Sequence, residues 1–341
     1  MMYDISVIED IRRQMCELGK LLDSSVIQFI LTLYNDGLPC FKRSFLLQFL
    51  YERKIYRKLR LLRKHIRLRG IPNYKALNLM RVFYFSSKVI PFSKVPLKNW
   101  VYAYAHIMSP GGTLIVYYFP RNISLKLLYN LAERLHVAEE DIFISSNTLY
   151  PKLAYINNKF VFRFNNDNFG REKDSSNDSG AFFDFVDVLI VKELEKDALM
   201  KFSEIAKNVR VDRGEIYKHY IRHVCRYRLI ERVAPTFMVD KPGNFINLLL
   251  YSENFEVLEG LCKALNSFSS IHITEKDHSF IFSTKLSLEG VLKLSRRLHE
   301  KGNYKFKLYL IDPESIRRFT IPYEKFSSNT NAWEVPVKIN Y

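Results

Sequence analysis

Residues 184–230, DFVDVLIVKELEKDALMKFSEIAKNVRVDRGEIYKHYIRHVCRYRLI, carry three helical patterns in succession. Val186, Leu189, Ile190 and Leu194 form an apolar stripe at helical spacing on the first. Phe202, Ile205, Ala206 and Val209 mark the second, with Ser203 at its start. Asp212 suits the N-cap of the third, which buries Ile216, Tyr220, Val224 and Tyr227. The connection Asn208–Asp212 is short, as a helix-turn-helix requires. On the third helix Lys218, Arg222 and Arg226 fall opposite the apolar stripe. An apolar back and a basic front suit the DNA major groove.

The stretch resembles the DNA-binding domain of the feast/famine transcription regulators, the leucine-responsive and asparagine-regulator (Lrp/AsnC-like) family. The residues that carry the resemblance are Asp184, Asp187, Asp197 and Phe202-Ser203-Glu204-Ile205-Ala206. Ala198-Leu199 stands where the family usually has Gly-Arg. The resemblance implies a winged helix-turn-helix followed by a ferredoxin-like domain that dimerises and can bind an amino acid.

The stretch has a counterpart near the N-terminus. Asp23, Asp36, Phe41 and Ile55-Tyr56-Arg57-Lys58 precede Asp184, Asp197, Phe202 and Ile216-Tyr217-Lys218-His219 by one shared offset of 161 residues. Several landmarks at a single offset indicate an internal duplication. In the first copy Ile55, Leu59, Leu62 and Ile66 form the buried stripe of the third helix. Arg53, Lys54, Arg57, Lys58, Arg60, Lys64 and Arg67 supply its basic side. Residues 42–71 hold eleven Lys/Arg against one acid, so this short segment carries most of a formal net charge of +16. Such clustering favours a polyanionic partner over a charge that serves solubility alone. Residues 184–232 are nearly balanced, with eleven basic and nine acidic residues. In the second copy the DNA contacts are expected from Arg213, Tyr217, Lys218, Arg222 and Arg226.

The rest of the chain reads outward from these copies. Residues 5–22 pattern as an amphipathic N-terminal helix. Leu79–Phe85 and Trp100–Met108 read as a wing hairpin with an enlarged loop, and Glu231–Lys241 as its shorter equivalent. Ser109-Pro110-Gly111-Gly112 resembles Lys241-Pro242-Gly243-Asn244, each opening a strand and then a helix (Ser124–His136 and Asn254–Phe268). In the second copy the order β-α-β-β-α-β over Phe245–Ile311 is that of a ferredoxin-like sandwich. In the first copy only β-α-β-β is found, ending in Lys159–Phe164. Asn165–Gly180 is the clearest linker. The expected organisation is therefore 1–108, N-terminal helix and first winged helix-turn-helix; 109–165, an incomplete ferredoxin-like module; 166–181, linker; 182–241, second winged helix-turn-helix; 242–312, a complete module; and 313–341, a tail in which Trp333 packs on a surface groove. The fold class is α+β.

At 341 residues, 48% of them apolar and 14% aromatic, the chain can build more than one core. No apolar run is long enough to span a membrane and no signal-peptide pattern opens the chain, so a cytoplasmic location is expected. The cysteines Cys16, Cys40, Cys225 and Cys262 lie outside metal-ligand spacing and read as reduced, buried thiols. His219 and His223 stand at i, i+4, a spacing that can hold a metal. No Cys or carboxylate is obviously placed to complete that site, and contact with DNA or packing is the preferred reading. No phosphate loop, nucleophile elbow or HExxH motif is present. Neither catalysis nor a cofactor is expected. The leading expectation is a transcription regulator on double-stranded DNA, with pairing through the α/β modules inside the chain or in a homodimer. A small amino-acid effector stays open. The alternatives are a non-specific chromatin or architectural DNA-binding protein, and an adaptor that binds a protein partner through one winged helix.

Overall fold

A computed structural model describes residues 23–35, 58, 61, 66–150, 152–156, 159–163, 182–237, 245–252, 268–274, 279–287, 292, 296, 299–300 and 306–336. The N-terminal amphipathic helix and the linker expected over 165–180 lie outside the described residues. So do most residues of the first copy's second and third helices. Contacts divide the chain into two units, Met1–Asn73 with Leu189–Lys241, and Tyr74–Val188 with Pro242–Tyr341.

The first unit opens with helix α1 (Ser24–Asn35), whose buried face is Val26, Phe29, Ile30, Leu33 and Tyr34. Asp23 caps it by accepting from the Val26 amide and the Ser25 hydroxyl, and it pairs with Lys58. The Lys58 ammonium, ahead of the two cap hydrogen bonds, holds the Asp23 carboxyl down at about 2. Strand β1 (Ile66–Pro72) follows. The helix expected over Ile55–Arg67 therefore ends before Ile66. From there the residues alternate, Leu68 buried and Arg67 exposed, which is a strand period and not a helical one.

The second copy shows its helices where the pattern places them: α3 (Phe185–Lys196), α4 (Phe202–Val209) and α5 (Arg213–His219). Asp212 caps α5 by accepting from the Gly214 amide at 2.6 Å. Glu204 reaches back to the Lys201 amide at the start of α4. The α5 axis continues as a π-helical turn over Tyr220–Cys225. Glu193 on α3 is buried; that burial works against its ionisation, and hydrogen bonds from Lys196 and Asn208 outweigh it and lower its pKa. Strand β8 (Ile230–Phe237) pairs antiparallel with β1, from Ile66↔Phe237 to Pro72↔Ile230. Gly70 fits this ladder because a Cβ there would stand 2.9 Å from the Leu194 carbonyl oxygen.

The second unit is built on β2 (Leu79–Ser86), β3 (Val101–Ser109), β4 (Gly112–Pro120), helix α2 (Leu125–Arg134) and β5 (Ile142–Leu149). A separate two-stranded ribbon follows, β6 (Lys152–Ile156) with β7 (Lys159–Arg163). Then come β9 (Phe245–Ser252), β10 (Phe268–Thr274), β11 (Ser279–Ser287), β12 (Phe306–Ile311) and the short β13 (Arg317–Arg318). The large sheet runs β12-β9-β11-β10-β5-β2-β4-β3-β13, and an added β12–β3 pairing curls it closed. Closure leaves no open edge between β12 and β3.

This topology corrects the reading of the first copy. Strands β2 and β3 do not form a wing hairpin: β2 lies between β4 and β5, and β3 pairs with β4, β12 and β13. The order β5-β2-β4-β3 repeats the order β12-β9-β11-β10, so the first module has all four strands and is not incomplete. Lys159–Phe164 was misplaced, since β7 pairs with β6 outside the large sheet. Ser109-Pro110-Gly111-Gly112 is the tight β3–β4 turn, whose positional counterpart is the β10–β11 connection and not Lys241–Asn244. Gly112 is required there: at φ +124° a Cβ would lie 2.0 Å from the Ser86 carbonyl oxygen. The segment between β2 and β3, where a ferredoxin-like module carries a helix, holds only two 3-10 turns, Phe92–Lys94 and Lys98–Trp100.

The interior makes the duplication explicit. One buried cluster contains Phe83, Phe85 and Phe143 from the first module with Leu249, Tyr251 and Tyr309 from the second. Each residue of the second set lies 166 positions after its partner in the first. Phe85 stacks on Tyr309 at 4.7 Å, and its mirror contact, Phe143 with Tyr251, stands at 5.1 Å. The seams between modules are reciprocal in the same way, β5 with β10 and β12 with β3. Reciprocal contacts of this kind define an isologous interface, here between two halves of one chain.

The tail packs against the second unit. Strands β14 (Phe326–Ser327) and β15 (Ala332–Trp333) form a small hairpin. The Trp333 indole N–H donates to the Leu77 carbonyl at 2.6 Å, and Phe326 meets the ring edge-on.

Candidate functional site

Two polar constellations stand out on the sheet of the second unit. The first surrounds Arg81, whose side chain is buried. Its Nη2 donates to the Tyr118 hydroxyl at 2.7 Å. Its guanidinium lies 4.7, 5.3 and 5.2 Å from the ring centroids of Tyr74, Tyr102 and Tyr118. Cation–π contacts compensate part of the desolvation of a buried charge. Burial disfavours the charged guanidinium, and the oxygens of Tyr118, Tyr74, Tyr150 and Tyr102 more than offset it, so the pKa is raised. The Tyr74 hydroxyl extends the network to Thr148 at 2.5 Å and Ser145 at 3.5 Å.

The second constellation is on β3 and uses alternate positions of one strand. The Tyr104 hydroxyl donates to the Ile90 carbonyl at 2.5 Å and lies 2.5 Å from His106 Nε2. A phenol has one hydrogen. With it committed to Ile90, the hydrogen between the two side chains must come from His106, which fixes the Nε2–H tautomer or the imidazolium. Burial raises the Tyr104 pKa, against an opposing pull from Arg317, so the phenol stays protonated. His106 is held through its backbone: its amide donates to Ser315 Oγ at 2.7 Å, and its carbonyl accepts from the Asp312 amide at 3.0 Å. Arg317 lies over the Phe92 ring at 5.0 Å, and Phe92 stacks on Phe319. None of this was read from the sequence. The Tyr-x-His alternation of a strand was visible, but β3 had been assigned to a wing.

The residues expected to bind DNA are scattered in their circumstances. Arg53, Lys54, Arg57, Arg60 and Lys64 lie outside the described residues. Lys58 is helical and paired with Asp23; Arg67 is on β1. Arg213, Tyr217, Lys218, Arg222 and Arg226 are exposed on α5 and the turns that follow. Lys218 pairs with Glu215 at 2.6 Å, and Tyr217 packs edge-on against Phe202. His219 and His223 do come together, their rings perpendicular with centroids 5.1 Å apart. Cys225 is buried and outside any disulfide, as expected. Among the described residues no helix is long and apolar enough to cross a membrane.

No protein-family model matches the chain, and no curated protein does. Solved structures do match in fold. A crystal structure of the siroheme decarboxylase NirDL in co-complex with an iron-uroporphyrin III analogue aligns over 88% of this chain and 93% of its own, at 14% identity and a TM-score of 0.52. A second structure of siroheme decarboxylase NirDL aligns over the same shares at 15% identity and a TM-score of 0.51. These matches overturn the regulator reading. The helix-turn-helix and ferredoxin-like signals led to the feast/famine family and to double-stranded DNA through the fold. An enzyme that binds an iron-porphyrin carries that arrangement over nearly its whole length, so the fold does not license a DNA partner. Transcription regulation, the architectural DNA-binding reading and the adaptor reading are withdrawn with it. The α+β class, with a curled antiparallel sheet compatible with an Lrp/AsnC-like ferredoxin-like fold, stands; a pair of winged helix-turn-helix domains is not shown.

Proposed function

We propose that this chain binds a planar, polycarboxylated tetrapyrrole and removes carboxyl groups from it as carbon dioxide. The observation that carries the reading is the full-length likeness to siroheme decarboxylase NirDL. The chain's own chemistry supports it in three ways. A formal net charge of +16 attracts a polyanion, and a porphyrin with several carboxylates is as good a counterpart as a phosphate backbone. The tyrosine-lined surroundings of Arg81 combine a guanidinium with aromatic faces, the pairing that carboxylate recognition and ring stacking both need. Tyr104 and His106 form a hydrogen-bonded acid pair on one strand.

In the proposed reaction the C–C bond to a carboxylate breaks and the electron pair stays on the ring substituent. Carbon dioxide leaves, and one proton must be added to that carbon. The pair is the candidate source of the proton: protonated Tyr104 is held by Ile90, and His106 can resupply it from solvent. The proton count closes with one consumed per carbon dioxide released, and no redox partner is needed.

The experiment is anaerobic incubation of the full chain with siroheme, followed by mass spectrometry of the tetrapyrrole. Stepwise loss of carbon dioxide that falls at least tenfold in Tyr104→Phe is the expected result. Tetrapyrrole binding with an unchanged substrate mass would remove the decarboxylase assignment and leave a binding protein.

A further inference from the structure

We propose that Arg317 holds a carboxylate that the reaction does not remove, and so selects which neighbouring carboxylate of the tetrapyrrole reaches the Tyr104–His106 acid pair, an assignment that rests on the decarboxylase reading above. Strand β13 lies beside β3 with Arg317 in register with Tyr104 and Arg318 in register with Ala103. Directly opposed residues of an antiparallel pair share a face. The Phe92 ring ties the two side chains together. It meets the Tyr104 ring edge-on at 5.3 Å and carries the Arg317 guanidinium 5.0 Å from its centroid. Phe319 stacks on Phe92 at 5.3 Å, and the Phe319 amide donates to the Tyr102 carbonyl at 2.9 Å, so the ring that carries Arg317 is itself held in place. The Tyr104 phenol senses the cation, which pulls its pKa down against the larger effect of burial.

Arg317 is open to an incoming anion. Its side chain is exposed, while the Arg81 guanidinium is buried among its tyrosines. Among the described residues no carboxylate pairs with Arg317, and Asp312 on the same segment accepts through Oδ1 from the Glu314 amide at 3.0 Å. A guanidinium resting on an aromatic ring has little rotamer freedom left to lose, and its N–H fork matches a carboxylate bidentately. The chemistry decides which carboxylate that is. The leaving carboxylate surrenders its negative charge as the C–C bond breaks and the electron pair passes to the ring substituent. A cation paired with it would bind the substrate more tightly than the transition state and slow the step. Arg317 therefore belongs to a carboxylate that stays charged throughout, on a side chain next to the one under attack. Its contact is then equally strong in substrate and transition state, which shows in KM and leaves kcat alone.

Anaerobic decarboxylation of siroheme by the full chain, followed by mass spectrometry, is compared for the parent, Arg317→Leu, Arg317→Lys and Arg318→Leu. Arg317→Leu should raise KM about tenfold and keep kcat within about twofold of the parent. Arg317→Lys should recover part of the loss, since an ammonium keeps the charge without the fork. Arg318→Leu removes the same charge from another exposed residue of β13 and should leave KM near the parent value. Absorbance titration with iron-uroporphyrin III should show a matching loss of affinity in Arg317→Leu alone. The far-ultraviolet circular dichroism of that variant should equal the parent's, since the side chain is exposed. With an active parent, an unchanged KM and affinity in Arg317→Leu, a loss confined to kcat, or an equal loss in Arg318→Leu overturns the assignment and leaves the proposed function standing. A parent that binds the porphyrin and releases no carbon dioxide overturns the decarboxylase reading first, and the selection between carboxylates falls with it.

Discussion

The two halves of the curled sheet share a strand order and an interior, and each packs on the other through equivalent residues. β5-β2-β4-β3 and β12-β9-β11-β10 are one arrangement used twice. Phe85 on Tyr309 and Phe143 on Tyr251 are one contact used twice. Between β2 and β3 the first half has a loop with two 3-10 turns, and that loop supplies the Ile90 carbonyl to Tyr104 and the Phe92 ring beneath Arg317. The paired surface of a duplicated module is constrained from both sides, while a connection on its outside is constrained from one.

The largest effect expected from this comparison is in the shared interior. Phe83→Ala and its counterpart Leu249→Ala each remove a fully buried side chain, and each should cost about 3–4 kcal/mol in urea unfolding. If the halves support each other as a pair, the two losses agree within about 1 kcal/mol; a much smaller loss for Leu249→Ala would make the second half peripheral. The next effect is at the β3–β4 turn of the first half. Gly112→Ala drives a methyl group into the Ser86 carbonyl and should cost about 3 kcal/mol or more. Gly111→Ala meets no atom within 4 Å and carries backbone strain alone, about 1–2 kcal/mol.

Tyr104→Phe tests the β2–β3 connection. It removes the hydroxyl shared by Ile90 and His106 and should lower stability by about 1–2 kcal/mol. The smallest effect lies in the other unit, at Asp23. Its folded pKa, near 2, is below the ordinary 3.8, so its ionisation favours the fold above that ordinary value, and the contribution fades as pH falls from about 3.8 toward 2. The side chain is 38% exposed, and solvent screening leaves about 1 kcal/mol at neutral pH. Asp23→Asn should lose that amount at pH 7 and nothing near pH 2, measured by chemical denaturation.

The sequence showed the helices of residues 184–230 because apolar spacing and the Asp212 cap are local signals. It showed that a duplication exists, since the landmarks from Asp23 to Lys58 share one offset with their partners. It misaligned the rest. β2 and β3 are each long enough for a hairpin, and strand patterns do not say which neighbour a strand takes; only the β2–β4 and β2–β5 ladders settle that. The Pro-Gly pairs at 110 and 242 were matched by composition, although one closes a hairpin. Arg81 carries no local signal in the sequence, because its burial among Tyr74, Tyr102 and Tyr118 depends on three separate segments. The charge of +16 announced an anionic partner but not its kind, since a phosphate backbone and a polycarboxylated ring present the same sign.

The most direct test of the central claim is an absorbance titration of the full chain with iron-uroporphyrin III. The account predicts a shifted porphyrin band that saturates at one tetrapyrrole per chain and survives physiological salt. An unshifted, non-saturating spectrum would contradict it.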